Sequence, residues 1–283
     1  NVWIMNCLQR MFHLPLTMTE SVFAYSMLYP YTDNLLDDPA LSREAKETFN
    51  NHLTDGIRGL DLRGLSSYEE KVHKLLHTIE KQYPRDTFRQ VWQSIQAIQD
   101  AQKNSLLQDA SKHLSEERIL SLSVSKGGTS VLADGFLVKG TLSFEEMRFV
   151  YGYGAFLQLM DDLQDQEEDR VAHHQTIYSV HPKKVPLDDL LMTLLSFIDI
   201  TLKPSPQDDA QIAQMKSIIQ EATRVMIGSI LGKNPSLVSK NLYQRLERSS
   251  KVRLRFYQDL EKTFVPLRAL LKTPTSSPIS NTL

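Results

Sequence analysis

Residues 143–169 read SFEEMRFVYGYGAFLQLMDDLQDQEED, and this stretch decides the fold class. Ser143-Phe144-Glu145-Glu146 is a capping box, in which the Ser hydroxyl and the Glu carboxylate satisfy first-turn N–H groups that have no partner within a helix. Phe149, Tyr153, Phe156, Met160 and Leu163 then recur at three- and four-residue spacing, so one stripe of the helix is expected to be buried. The pattern predicts a single core helix over 143–171 that ends in acid.

The rest of the chain is punctuated in the same way. Its 12 prolines sit largely at the edges of apolar-periodic segments, and alternating Val/Ile/Thr runs bounded by Asn-Gly or Asp-Gly are absent. An all-α bundle follows, with helices expected over roughly 3–13, 18–37, 42–56, 67–82, 86–110, 115–139, 143–171, 187–202, 208–231, 235–247 and 250–271. No linker-like tract divides the 283 residues, so one domain is expected over 1–272, followed by a loose polar tail over 273–283. The chain opens Asn1-Val2-Trp3-Ile4 without an initiator methionine, so part of the natural N-terminus is expected to be missing.

Composition removes several classes of function. With 32 Lys plus Arg against 34 Asp plus Glu there is no broad positive field for nucleic acid. No apolar run reaches the roughly 20 residues that span a bilayer, and the lone cysteine, Cys7, has no internal disulfide partner. A cytoplasmic location is the expectation, and oligomeric state is left open, a homodimer included.

Two aspartate clusters carry the chemistry. Asp161, Asp165 and Asp169 are spaced four apart, which on a helix makes one ridge, with Asp162 and Glu168 flanking it. Like charges on one ridge repel, and toward a helix C-terminus the macrodipole opposes them further, so a cation is expected there. Magnesium suits such a site, being hard and held by one or two carboxylates together with phosphate oxygens. A solvated acidic face is the competing reading. It is weakened because the acids follow directly on an apolar, aromatic segment, so at least Asp161 and Asp165 are expected to continue its buried stripe. The first cluster, Asp33-Asn34-Leu35-Leu36-Asp37-Asp38, repeats the arrangement. Asp33 and Asp37 share a face, Pro39 ends the helix, and Phe23, Tyr25, Leu28, Tyr29 and Tyr31 supply an apolar and aromatic surface upstream. Two such ends facing one another would form a metal-filled mouth above an apolar cavity, suited to a substrate with an anionic head and a hydrocarbon tail.

On these residues the chain resembles the class I isoprenoid (terpene) synthase superfamily. Gly154-Ala-Phe-Leu-Gln158-Leu-Met-Asp161-Asp162-Leu-Gln-Asp165 is similar to the second aspartate-rich motif of trans-prenyl diphosphate synthases. The nearer likeness is to bacterial large-terpene synthases of the tetraprenyl-β-curcumene synthase type. Their first motif, YxDNLxD, is matched by Tyr31 to Asp37, and their second, DxxxDxxED, by Asp161, Asp165, Glu168 and Asp169. The resemblance covers residues 17–180. It implies the isoprenoid synthase fold around a deep apolar cavity, with Asp33, Asp37, Asp161, Asp162, Asp165 and Asp169 as metal ligands. It further implies Mg2+, three ions with diphosphate bound, and ionisation of a prenyl diphosphate followed by cyclisation or elimination, as in a lyase or transferase. Asp162 stands where that family usually has an aromatic, and the arginine pair that follows the first motif of chain-elongating enzymes is replaced by Asp38-Pro39-Ala40. Chain elongation, as in a trans-prenyl diphosphate synthase, therefore stays as an alternative, as does a non-catalytic scaffold of the same fold.

Supporting residues have two readings each. Lys126, in Lys126-Gly127-Gly128-Thr129-Ser130, stands about 35 residues before the second motif, where related enzymes carry a diphosphate-contacting Lys-Thr pair; otherwise it is a surface lysine beside glycines that let a helix or ligand approach. Arg255 and Tyr257 are similar to the Arg-Tyr pair that closes over diphosphate in terpene cyclases; otherwise Lys251, Arg253 and Arg255 are a solvated basic face. Arg170 either contacts diphosphate or neutralises Asp169 or Glu167. Tyr25, Tyr29, Tyr153, Phe156 and Gln158 are expected pocket-lining residues, with core packing as the alternative for the aromatics. His173 and His174 lack the i, i+4 spacing of zinc helices and are expected in a loop. A dinuclear iron bundle would need Glu-x-x-His pairs, which the expected core helices lack.

Overall fold

A computed structural model describes residues 2–36, 41–60, 66–109, 113–260 and 262, without the side chains of Tyr29, Asp33, Asn34, Leu36 and Arg43. The described residues are all-helical, with no strand among them. In chain order the helices are α1 (Val2–Met11), α2 (Glu20–Leu36), α3 (Arg43–Arg58), α4 (Ser67–Gln82), α5 (Arg89–Ser105), α6 (Glu116–Lys139), α7 (Phe144–Gln164), α8 (Gln166–Ala172), α9 (Asp188–Thr201), α10 (Ala210–Lys233) and α11 (Lys240–Ser249). Residues 255–260 are helical as well. Short 3-10 turns occupy Leu106–Asp109 and Pro235–Leu237.

Serine caps set the helix starts. Ser42, Ser66, Ser115, Ser143 and Ser239 each accept from the backbone N–H three residues on, and Ser66–Glu69 and Ser143–Glu146 complete capping boxes. Three expected spans are shorter or interrupted. The 86–110 helix starts only at Arg89, because Thr87 and Phe88 both bond back to the Pro84 carbonyl in a turn. The 235–247 helix begins at Lys240, where Ser239 caps it after the proline-led 3-10 turn. The expected 143–171 helix breaks at Asp165, as detailed below. The end of the 250–271 span and the 273–283 tail lie outside the described residues.

The chain groups into two compact units, Asn1–His181 with Met192–Gln220, and Pro182–Leu191 with Glu221–Leu283. In the first, α6 and α7 form the most extensive helix pair, α5 and α1 pack on α6, and α2 packs on α4. Glycine makes the central pair close: a Cβ on Gly127 would overlap the Gly154 carbonyl oxygen, and one on Gly154 would overlap that of Gly127. A Cβ on Gly128 would meet the Tyr151 ring. Of the two readings of these glycines, approach by another helix is the one realised.

Arg85 holds the end of α3. Its guanidinium donates to the carbonyls of Ile57 at 2.5 Å and Gly56 at 3.0 Å, pairs with Glu80 at 3.0 Å and lies 3.4 Å over the Trp92 ring. Trp92 donates in turn to the Tyr83 carbonyl, and Tyr83 to that of Leu137 on α6, both at 2.8 Å.

In the second unit, glycines again allow close packing. A Cβ on Gly232 would overlap the Leu254 carbonyl, and one on Gly228 would meet the Tyr257 ring at 3.4 Å.

Candidate functional site

The acidic segment is placed by α7, whose buried stripe of Val150, Tyr153, Phe156, Met160 and Leu163 fixes its rotation. Phe149, expected in that stripe, is only half-buried, and Val150 takes the core position instead. At Asp165 the backbone leaves the helix, with φ −92° and ψ 7°, and α8 starts at Gln166. Asp161 and Asp169 thus sit on different helices, with Asp165 at the break between them. Asp161 lies in the last turn of α7, where the macrodipole opposes it, whereas Asp169 lies in the first half of the seven-residue α8.

The break preserves the spacing. The Asp165 N–H donates to the Asp161 carbonyl at 2.9 Å and the Asp169 N–H to the Asp165 carbonyl at 2.8 Å. The acids also sense one another. Asp161 is exposed and Asp165 half-buried, so these acids do not continue the buried stripe of α7. Desolvation by the surroundings, then the charges of Asp165 and Asp162, raise the Asp161 carboxyl above its ordinary range, and Lys126 acts in the opposite direction. Asp169 is raised by burial first, with His174 opposing and Asp162 and Asp165 adding to the rise. Lys126 is half-buried on α6, next to the Gly127–Gly154 contact that fixes the register of α6 on α7.

Asp162 turns inward. It is 6% exposed, accepts from the Gln158 amide at 2.8 Å through Oδ1, and has no partner for Oδ2. Burial raises its carboxyl, while hydrogen bonds from Ser123 and Gln158 and the nearby Lys126 and His174 act the other way. Gln158 thus supports Asp162. Behind it lies a polar network that the sequence reading missed. The Gln108 amide donates to Ser123 at 3.4 Å and to the Gln175 carbonyl at 2.9 Å, and Gln175 accepts from the Leu114 N–H at 3.0 Å.

The loop after α8 closes on the acids. His173 ends the helix in the left-handed region, φ 59°, and the His174 N–H donates to the Asp169 carbonyl at 2.8 Å. Both histidines are loop residues, and His174 Nδ1 lies 2.5 Å from Asp109. Thr176 donates to Asp169 Oδ2 at 3.3 Å and bonds reciprocally with Ser179. The Thr-x-x-Ser spacing was the available signal for this turn. Arg170 donates to the Tyr178 carbonyl at 3.2 Å, and its buried Nε has no partner.

The first cluster is only partly described. Asp33 is in the last turn of α2, its side chain outside the description, and Asp37 lies outside the described residues. Upstream, Tyr25 and Leu28 are buried but Phe23 is 54% exposed, because it falls on the opposite side of the helix. Pro30 sits within α2, where it removes one backbone donor. The Tyr68 hydroxyl on α4 donates to the Tyr31 carbonyl, and the two rings are 5.6 Å apart.

Tyr25, Tyr153 and Phe156 are all fully buried. In the second unit, Arg255 is exposed, 3.9 Å from Asp259, and Tyr257 packs beside Phe256 with ring centroids 5.8 Å apart. Lys251 and Arg253 are exposed too, and Lys251 pairs with Glu221 at 2.7 Å.

Among the described residues, no three His, Cys, Asp or Glu side chains are grouped to hold a metal ion. No helix of the described residues is long and apolar enough to cross a membrane. Neither protein-family models, nor curated proteins, nor solved structures give a match to this chain.

Proposed function

We propose that this chain is a magnesium-dependent enzyme that ionises a prenyl diphosphate, a class I terpene synthase by the resemblance of its two aspartate motifs. The observation that carries the reading is Asp161, at the exposed end of a buried aromatic helix, whose carboxyl is raised by its surroundings and then by the charges of Asp165 and Asp162, with Lys126 of α6 acting in the opposite direction on both Asp161 and Asp162. An acidic group that desolvation and like charge both destabilise is one that a bound cation relieves.

The residues fit magnesium in a specific sense. Two carboxylates one turn apart match an ion that takes one or two protein carboxylates and fills its other positions with water and phosphate oxygens. A closed cage of protein ligands is not needed. Asp161 and Asp165 would hold the ion, with Asp33 and Asp37 as the ligands from the first motif. When bound, it would supply Lewis acidity to the departing diphosphate.

The chain's own groups have distinct tasks. Lys126 offers a compact positive charge to phosphate oxygens beside the acids. Gln158 and Ser123 orient Asp162, and Thr176 orients Asp169. Tyr153 and Phe156 lie two and one helical turns before Asp161, and aromatic faces stabilise a cation by roughly 0.5–2 kcal/mol each. By the resemblance, Arg255 and Tyr257 are a proposed diphosphate-contacting pair.

The test is magnesium-dependent release of pyrophosphate from C15 to C35 prenyl diphosphates, with Asp161→Asn and Asp165→Asn as controls. Release that falls at least about 10²-fold in each variant, with unchanged circular dichroism, supports the proposal. A folded protein inert toward every chain length refutes it in favour of a scaffold.

A further inference from the structure

Asp134 is the most unusual residue of the first unit. It stands in the C-terminal third of α6, 0% exposed, with Ala133, Phe136 and Leu137 buried beside it. Neither of its carboxyl oxygens has a hydrogen-bond partner. The Tyr153 hydroxyl on α7 is buried and equally unpartnered, and it lies within electrostatic reach of both Asp134 and the buried Cys7 thiol of α1. Three helices therefore direct polar groups into one part of an otherwise apolar core.

Leaving such groups unpaired in a dry core is costly, and native proteins rarely accept it. We propose that α1, α6 and α7 enclose a polar site, built from Asp134, Tyr153 and Cys7, that holds ordered water. Buried water typically makes two to four hydrogen bonds to polar groups that lack other partners, and this set provides donors and acceptors in that number.

The chemistry of the groups selects a neutral ligand. Burial drives Asp134 well above the carboxylate range. Burial pushes the Cys7 thiol up to about 11, and it raises the Tyr153 hydroxyl as well, with Cys7 and Asp134 adding to the rise. Burial thus favours the uncharged form of all three. Such a set suits water rather than a metal ion or an anion. The inference does not depend on the aspartate ridge or on the proposed activity.

The experiment counts long-lived internal waters in the full chain by magnetic relaxation dispersion. Asp134→Leu, with the same branching but without polar atoms, should lose at least one such water relative to the parent, and Asp134→Asn should retain it. Equal counts in parent and Asp134→Leu would overturn the proposal. Should Asp134→Leu fail to fold, Tyr153→Phe takes its place with the same two outcomes.

A second measurement reads the neutral acid. The folded carboxyl keeps a proton that the unfolded chain releases, so its contribution to stability is full below the ordinary aspartate pKa and declines as pH rises toward the folded value. The melting temperature of the parent should therefore fall relative to that of Asp134→Asn between pH 5 and pH 8. Parallel curves would show an ionised, paired Asp134 and would also overturn the proposal.

Discussion

Gly154→Ala adds one methyl group at the point where α7 meets α6, and the structure gives its cost. The new Cβ would overlap the Gly127 carbonyl oxygen, a backbone atom that no rotamer change can move, so the helices must part by roughly 1 Å to restore ordinary contact. Overpacking of this kind costs about 1–3 kcal/mol, and the upper end applies where backbone meets backbone. Alanine returns about 1 kcal/mol through its helix propensity. The expected net loss is about 2 kcal/mol. Gly152→Ala, on the same helix, is the control. Its Cβ would meet the end of the Thr201 side chain at 3.0 Å, which can give way, so the variant should gain about 0.5 kcal/mol. The two should differ by about 2.5 kcal/mol, or roughly 5–10 °C in melting temperature for a chain of this length. Urea titration followed by circular dichroism at 222 nm measures the difference. A Gly154→Ala protein as stable as Gly152→Ala would refute the claim that backbone contact sets the α6–α7 spacing.

Other expectations follow from particular contacts. Lys216 and Asp208 form a nearly buried pair at 2.6 Å, so Lys216→Met should destabilise by about 3–5 kcal/mol, and adding Asp208→Asn should recover part of the loss in the same titration. Arg85→Gln removes charged donors from the Gly56 and Ile57 carbonyls and a cation from the Trp92 ring, with an expected cost of about 2–3 kcal/mol and a shift in Trp fluorescence. Magnesium together with inorganic pyrophosphate should stabilise the parent by about 2.7 kcal/mol at a hundredfold excess over Kd. That is roughly 5 °C or somewhat more by thermal scan. Neither ion alone should produce the shift, and it should disappear in the Asp33→Asn, Asp37→Asn double variant. A shift of equal size in that variant would leave the ion to Asp161–Asp169 alone.

Helix content was legible because it rests on local signals. The Ser143–Glu146 capping box appears as read, and so does the buried stripe of α7 apart from Phe149, which yields its place to Val150. The break at Asp165 was not legible, because periodicity shows which face is buried and an i, i+4 hydrogen bond runs straight across the break. Asp162 shows a similar limit. The resemblance implies a metal ligand there, and the depth of its burial, with Ser123 of α6 against it and Gln158 one turn back on α7 donating to it, is not written in the local sequence. Asp134 looked like any polar position on α6, since nothing in the neighbouring sequence marks a carboxyl with no exposure. Gly127 and Gly154 are instructive in the other direction. The sequence predicted a close approach, and the geometry supplied its partner.

The supports of the acidic ridge are separable. Asp161 rides on α7, so a change that displaces α7 from α6 moves Asp161 relative to Lys126. Asp169 takes its place from Thr176 and the His174 N–H, groups of a loop that owes nothing to the glycine contact. A single pair of torsions at Asp165 joins the two halves. The distance between the first and third carboxylates can therefore be retuned from the exposed positions of α8, Glu167, Glu168 and Val171, with the α6–α7 glycine contact untouched, which makes α8 the segment through which this chain could acquire a different ion geometry.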